Sequence, residues 1–270
     1  MSNGGKRGGF TAAPSLIIGL GGAGLKVATF VKKNLIEINN NRLPPGMAIL
    51  VLDTEETIRF QVSGWGKERS GPHATGPVKL MAGEYVPLTG NVRRLAEAIR
   101  EEQIEAERSP HLRRQRAYRH LSGWFQARHY LDEIGVPDAT WNLNVGAGRF
   151  RQFGRLALFS NIRTTTDMLL SALRSISKAG AGQVYVHITG SLAGGTGAAL
   201  FIDVAHLVYQ LAKIAGFKHP PVLLGHFILA EGFRGTREVN FSDPYIQADF
   251  EARCFAALRE LTRLQGNTIP

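Results

Sequence analysis

The chain has 270 residues, 44% of them apolar, and 32 Lys and Arg against 22 Asp and Glu, for a net charge of +10. That length and apolar content suit one substantial core, and no apolar run approaches the ~20 residues a membrane span needs. A single cysteine, Cys254, excludes an intrachain disulfide and a cysteine-based zinc site; it reads as a small core residue, with a reducing cytoplasm as the expected compartment. The eight histidines show no H-x-x-x-H spacing, which argues against a metal held by imidazoles.

Residues 1–13, with Lys6, Arg7 and a cluster of glycines, read as a disordered basic leader that lacks the apolar stretch of a secretory signal. The apolar run Ser15–Leu20 reads as a buried strand. It leads into Gly19-Leu20-Gly21-Gly22-Ala23-Gly24 and then into the helical pattern Leu25–Ile38. A glycine turn between strand and helix lets backbone N–H groups converge on an anion, and the following helix points its positive end at the same place. By itself the spacing of Gly19, Gly21 and Gly24 fits the dinucleotide fingerprint only weakly.

A second strand, Met47–Leu52, ends in Asp53-Thr54-Glu55. Two acids at a strand end can hold Mg²⁺ through its waters. In a dinucleotide fold Asp53 would instead serve a ribose hydroxyl, although it lies 29 residues beyond Gly24, and the plain alternative is acids beside a helix start.

Residues 59–140, with scattered Gly and Pro and then the helical pattern Val92–Glu107, read as an insertion. Between Arg108 and Tyr130 it carries six arginines, Arg108, Arg113, Arg114, Arg116, Arg119 and Arg128, with Tyr118, Trp124 and Phe125 and no acid. Such a surface could hold nucleic acid or an acidic partner; the alternative is a solvated face balanced by the acidic residues just before it.

A third glycine element, Gly146-Ala147-Gly148, precedes Arg149–Arg155, and helical periodicity resumes at Thr164–Lys178. The strand Val184–Thr189 then opens into Gly190-Ser191-Leu192-Ala193-Gly194-Gly195-Thr196-Gly197, followed by the helix Thr196–Ala215, in which Thr196 adds a hydroxyl donor to a second phosphate-type cradle. A fourth strand, Val222–Leu229, and a helix, Pro244–Leu264, complete the pattern. Strands alternating with helices predict an α/β fold, a Rossmann-like parallel sheet with helices on both faces and both glycine turns at the carboxyl ends of strands.

These residues carry a family resemblance. Ala193-Gly194-Gly195-Thr196-Gly197-Ala198-Ala199 resembles the tubulin signature [SAG]-G-G-T-G-[SA]-G, departing at Ala199. Gly19–Gly24 resembles the first phosphate loop of the tubulin and FtsZ superfamily, and Asp53-Thr54-Glu55 the D-x-E of its second loop. Gly146-Ala147-Gly148 with Gly154-Arg155 resembles the third loop, with Phe150 and Arg151 where FtsZ tends to have Asn-Pro, and Phe227–Gly232, ending in Glu231-Gly232, resembles the exit of the fifth strand. Four loops in order point to the bacterial tubulin-like branch of that superfamily, over about residues 14–264.

The resemblance implies GTP or GDP with Mg²⁺, and a homo-oligomer or filament in which a neighbouring subunit completes hydrolysis. Nucleotide would be held by Gly19, Gly21, Gly22, Ala23, Gly24, Asp53, Glu55, Gly146, Ala147, Gly148, Ala193, Gly194, Gly195, Thr196, Gly197 and Glu231, with Asp53 and Glu55 organising the metal. The family's guanine-reading Asn has no match between Asn240 and Asn267, which leaves Asp249 as a candidate acceptor for guanine N1 and N2. The family's catalytic loop and second domain would follow the last helix, so weak or no hydrolysis by this chain alone is expected. Two other functions fit part of the pattern: an NAD(P)-binding oxidoreductase fragment, and a basic adaptor for an acidic partner.

Overall fold

A computed structural model describes residues 13–63, 76–109, 111, 117–143, 147, 150–180, 182–236 and 240–266. Its centre is a sheet of five parallel strands, β1 (Ser15–Leu20), β2 (Met47–Asp53), β3 (Tyr85–Pro87), β4 (Tyr185–Ser191) and β5 (Val222–Ile228), in the order β3-β2-β1-β4-β5. The long helices are α1 (Gly21–Ile38), α2 (Arg93–Arg108), α5 (Arg151–Ser160), α6 (Ile162–Ser177), α7 (Gly195–Ile214) and α8 (Pro244–Gly266). Short helices α3 (Arg119–Ser122) and α4 (Asp138–Trp141) lie between α2 and α5.

The strands form because both of their faces are apolar, and successive residues serve opposite layers. Leu16, Ile18 and Leu20 of β1, Leu50 and Leu52 of β2, and Val186 and Ile188 of β4 join one core with Phe153 and Leu156 of α5, Leu169 and Leu173 of α6, and Val204 and Val208 of α7. Ile17, Ile49 and Val51 point the other way and meet Leu25 and Ala28 of α1. Each such buried Leu, Ile or Val side chain contributes about 1.5–3 kcal/mol relative to exposure. The result is the predicted α/β class, a parallel sheet with helices on both faces.

Helix α7 is the interior helix of the larger layer. Its 20 residues meet the length and hydropathy of a membrane span, against the expectation that no run would, yet half of that window is buried against the rest of the protein. Core helices pass the same test because both interiors select apolar side chains.

Residues 59–140, read from the sequence as an insertion, supply β3 to the sheet and Leu88 and Phe125 to the core. Glu107 of their charged helix α2 pairs with one of the six arginines, Arg128, while the helix's own Arg100 pairs with Asp132 and its Glu102 accepts the Tyr118 N–H through both oxygens. Arg113, Arg114 and Arg116 lie outside the described residues.

Strand β5 closes the other side of the sheet. Among the described residues it pairs only with β4, and Val222, Leu223 and Leu224 are exposed.

Candidate functional site

The strand order reverses between β1 and β4: from β1 the chain moves toward β2 and β3, and from β4 toward β5. Parallel sheets open a crevice at such a point, beyond the carboxyl ends of the two strands. Here those ends, Leu20 and Ser191, run directly into the glycine turns that start α1 and α7.

The first turn is tighter than its sequence suggests. The helical pattern predicts a start at Leu25, but α1 begins at Gly21, so that the glycines form its first turn rather than a loop before it. This is possible because Gly24 rests on the backbone of Gly19, and because Gly21 has φ 67°, a conformation costly for any side chain with a Cβ. A Cβ on Gly21 would also stand 3.1 Å from Thr196 Cβ, so the first turn abuts the second. Gly22 is different: it is exposed, and a Cβ there would meet nothing within 4 Å.

In the second turn the Ser191 hydroxyl accepts the Ala193 N–H at 3.1 Å, and Leu192 N–H donates to Ile228 O of β5 at 3.0 Å. Gly194 caps α7, whose first turn is Gly195, Thr196 and Gly197. Neither α1 nor α7 has a capping side-chain hydrogen bond or an acid in its first turn. Two helix starts therefore present unanswered N–H groups and the positive ends of their dipoles beside one another, which is the electrostatics of an anion cradle.

Thr54 joins the cradle to the end of β2. Fully buried, it shares a hydrogen bond of 3.0 Å with the Thr196 hydroxyl, and its Oγ1 accepts the Ala147 N–H at 2.9 Å. One hydroxyl thus ties the β2 exit, the third glycine element and the start of α7 together. The sequence offered almost no signal for it, since a threonine between two acids attracts less notice than the acids.

Those acids differ in setting. Asp53 is buried, and its Oδ1 accepts the Thr54 N–H at 2.7 Å. Burial, offset in part by that hydrogen bond, pushes its carboxyl up to about 6. Glu55 is partly exposed; its carboxylate pairs with Arg59, and its backbone carbonyl accepts the Tyr85 hydroxyl at 2.7 Å. Burial, with Asp53 and Glu55 nearby, pushes the Tyr85 hydroxyl above its ordinary value. A buried carboxyl beside an anion cradle suits a hydrated divalent cation, which favours its ionised form. Among the described residues no three His, Cys, Asp or Glu side chains come together as a direct metal site.

The structure brings Gly19, Gly21, Gly22, Ala23 and Gly24 together with Ala193, Gly194, Gly195, Thr196 and Gly197, and it links Asp53 and Ala147 to them through Thr54. Gly146 and Gly148 lie outside the described residues. Glu231 is exposed in the short turn Ala230–Phe233 after β5. Asp249, on α8, is paired with Arg253, whose guanidinium also donates to the Ala193 carbonyl at 3.2 Å, so α8 touches the second turn through Arg253.

A separate groove of about 730 Å³ runs between α5, α7 and α8, lined by Trp124, Arg151, Arg155, Asp203 and Glu260 among others. No glycine of the two turns lines it. Arg155 is already forked onto Asp203, and Arg151 onto Glu260 and the Ala198 carbonyl. The chemistry of the glycine turns carries more weight than the size of this groove.

Compared with known families, residues 16–268 match the family model described as tubulin-like. No curated protein and no solved structure matches the chain.

Proposed function

The chain belongs to the tubulin-like family, and from that premise we propose that it is a guanine-nucleotide-binding module that assembles with further copies in the cytoplasm. The observation that carries the proposal is the pair of uncapped glycine-rich helix starts at the β1/β4 crevice, held side by side by the contact of Gly21 with Thr196. A polyphosphate would lie across the first turns of α1 and α7. Gly22, Gly195 and Gly197 offer backbone donors without a side chain in the way, and Thr196 offers its hydroxyl.

Asp53, with Glu55, would hold the waters of a Mg²⁺ ion, whose part is to neutralise phosphate charge. Gly146, Ala147 and Gly148 would close the cradle from the third loop, and Glu231 would approach the nucleotide from the exit of β5. For the base, Asp249 is the candidate acceptor for guanine N1 and N2; Arg253 holds it beside the second turn through the Ala193 carbonyl.

The test is displacement of a fluorescent GTP analogue from the 270-residue chain by GTP, ATP and NADP, with and without Mg²⁺. Selective displacement by GTP, lost in Gly195→Asp because a carboxylate then sits in the first turn of α7, supports the proposal. Displacement by NADP instead points to a dinucleotide site, and failure of the analogue to bind overturns the proposal. Light scattering with GTP and with GDP then tests assembly.

A further inference from the structure

Thr54 stands between two groups whose hydrogen bonds have a direction. Its Oγ1 accepts the Ala147 N–H at 2.9 Å, which leaves its own proton for its other hydrogen-bond neighbour among the described residues, Thr196 Oγ1 at 3.0 Å. The geometry alone permits either threonine to donate to the other. An anion in the cradle breaks the tie. If Thr196 donates to Thr54, oxygen lone pairs of Thr196 are what face the anion. If Thr54 donates to Thr196, the Thr196 proton is free to turn toward it.

We propose that Thr54 is a positioning residue that couples the third loop to the phosphate cradle, by completing a one-way chain from Ala147 N–H through Thr54 and Thr196 to a bound phosphate. The proposal rests on the nucleotide-binding reading and adds to it a route by which occupancy at α7 is felt at Ala147. Aligned hydrogen bonds polarise one another, so a charge at one end strengthens the bond at the other. Burial sharpens the effect: Thr54 is fully buried and Ala147 and Thr196 nearly so, and water does not compete for these groups. No bond is made or broken and no proton leaves its oxygen; only the orientation of two hydroxyls is chosen.

The experiment compares the wild-type chain with Thr54→Val, which keeps the shape without the hydroxyl, and Thr54→Ser, which keeps the hydroxyl. GTP affinity is measured by displacement of the fluorescent analogue, and exchange of the Ala147 amide by hydrogen–deuterium exchange with and without GTP. In the wild type GTP should slow Ala147 exchange. Thr54→Val should bind GTP about twofold to tenfold more weakly, the worth of the one neutral hydrogen bond that turns the Thr196 hydroxyl toward the phosphate, and GTP should no longer protect Ala147. Thr54→Ser should restore both.

A wild-type chain that does not bind GTP sinks the nucleotide reading itself. A wild-type chain that binds GTP without protecting Ala147, or a folded Thr54→Val that binds and protects as the wild type does, overturns the coupling alone. Should Thr54→Val fail to fold, the wild-type exchange measurement and Thr54→Ser still decide.

Discussion

Gly19 and Gly24 lie backbone against backbone: a side-chain carbon on Gly19 would stand 2.5 Å from the Gly24 carbonyl oxygen, and one on Gly24 would stand 2.7 Å from the carbonyl carbon of Gly19 and from the Thr189 oxygen. These are main-chain obstacles that cannot swing aside. Gly24→Ala should therefore lower stability by about 3 kcal/mol or more, read from denaturant unfolding. Gly22→Ala, only two positions away, should leave the fold unchanged or up to about 1 kcal/mol more stable, as alanine is the better helix former. If the crevice binds phosphate, that same variant binds it more weakly. Equal unfolding midpoints for the two variants would refute the packing argument.

Asp53 should make the protein less stable as pH rises through the acid range. Its folded carboxyl titrates near 6 against an ordinary 3.8. Between those values the folded state holds a proton that the unfolded state has lost. Its full contribution is present below about 3.8 and is lost as pH climbs through 6, a change of order 3 kcal/mol. Asp53→Asn should remove this fall and be the more stable protein at pH 7.5. Parallel stability curves for the two proteins between pH 4 and 7 would show that Asp53 does not titrate as argued.

Glu55 should matter to magnesium and not to folding. It is partly exposed and its carboxylate meets Arg59, so Glu55→Ala should keep the wild-type melting temperature within the scatter of surface substitutions. The magnesium dependence of GTP binding should weaken. An unaltered magnesium titration would take Glu55 out of the site.

Arg155 fastens α5 to α7. Its guanidinium forks onto Asp203 at 2.6 and 2.8 Å and lies 4.4 Å from the centre of the Trp124 ring. Lysine supplies neither the fork nor the flat face, so Arg155→Lys and Arg155→Ala should both lose about 1–2 kcal/mol. A double-mutant cycle with Asp203→Ala should give a coupling near 1 kcal/mol, and additive losses would mean that the pair is not coupled.

Much of this fold is readable in the chain because its strands are two-sided. The apolar runs at Ser15–Leu20, Met47–Leu52, Val184–Thr189 and Val222–Leu229 correspond to β1, β2, β4 and β5 within two residues at either end. What escaped reading had weaker local signals. β3 has three residues and is held by its pairing with Val51–Asp53, a relation that no local pattern contains. α5 was hidden by Gly154, which suggests a turn but lets the helix press against α7: a Cβ there would come within 3.0 Å of Ala199 Cβ and 3.1 Å of the Gly195 oxygen. The glycines and acids around the crevice were visible as residue types. Thr54 was not, because its importance comes from two partners far away in sequence.

The pairing of β1 with β4 also sets the order in which the crevice can exist. Ser15 lies opposite Tyr185, so this register closes a loop of about 170 residues, whereas β1 and β2 meet across one helix. Contacts of such long range are slow to form, and their entropy must be met before they return anything. The glycine turns come into being as neighbours only once that closure is made. A ligand in the crevice would then act mainly on the unfolding rate, lengthening the life of the finished sheet while leaving the speed of its assembly nearly untouched.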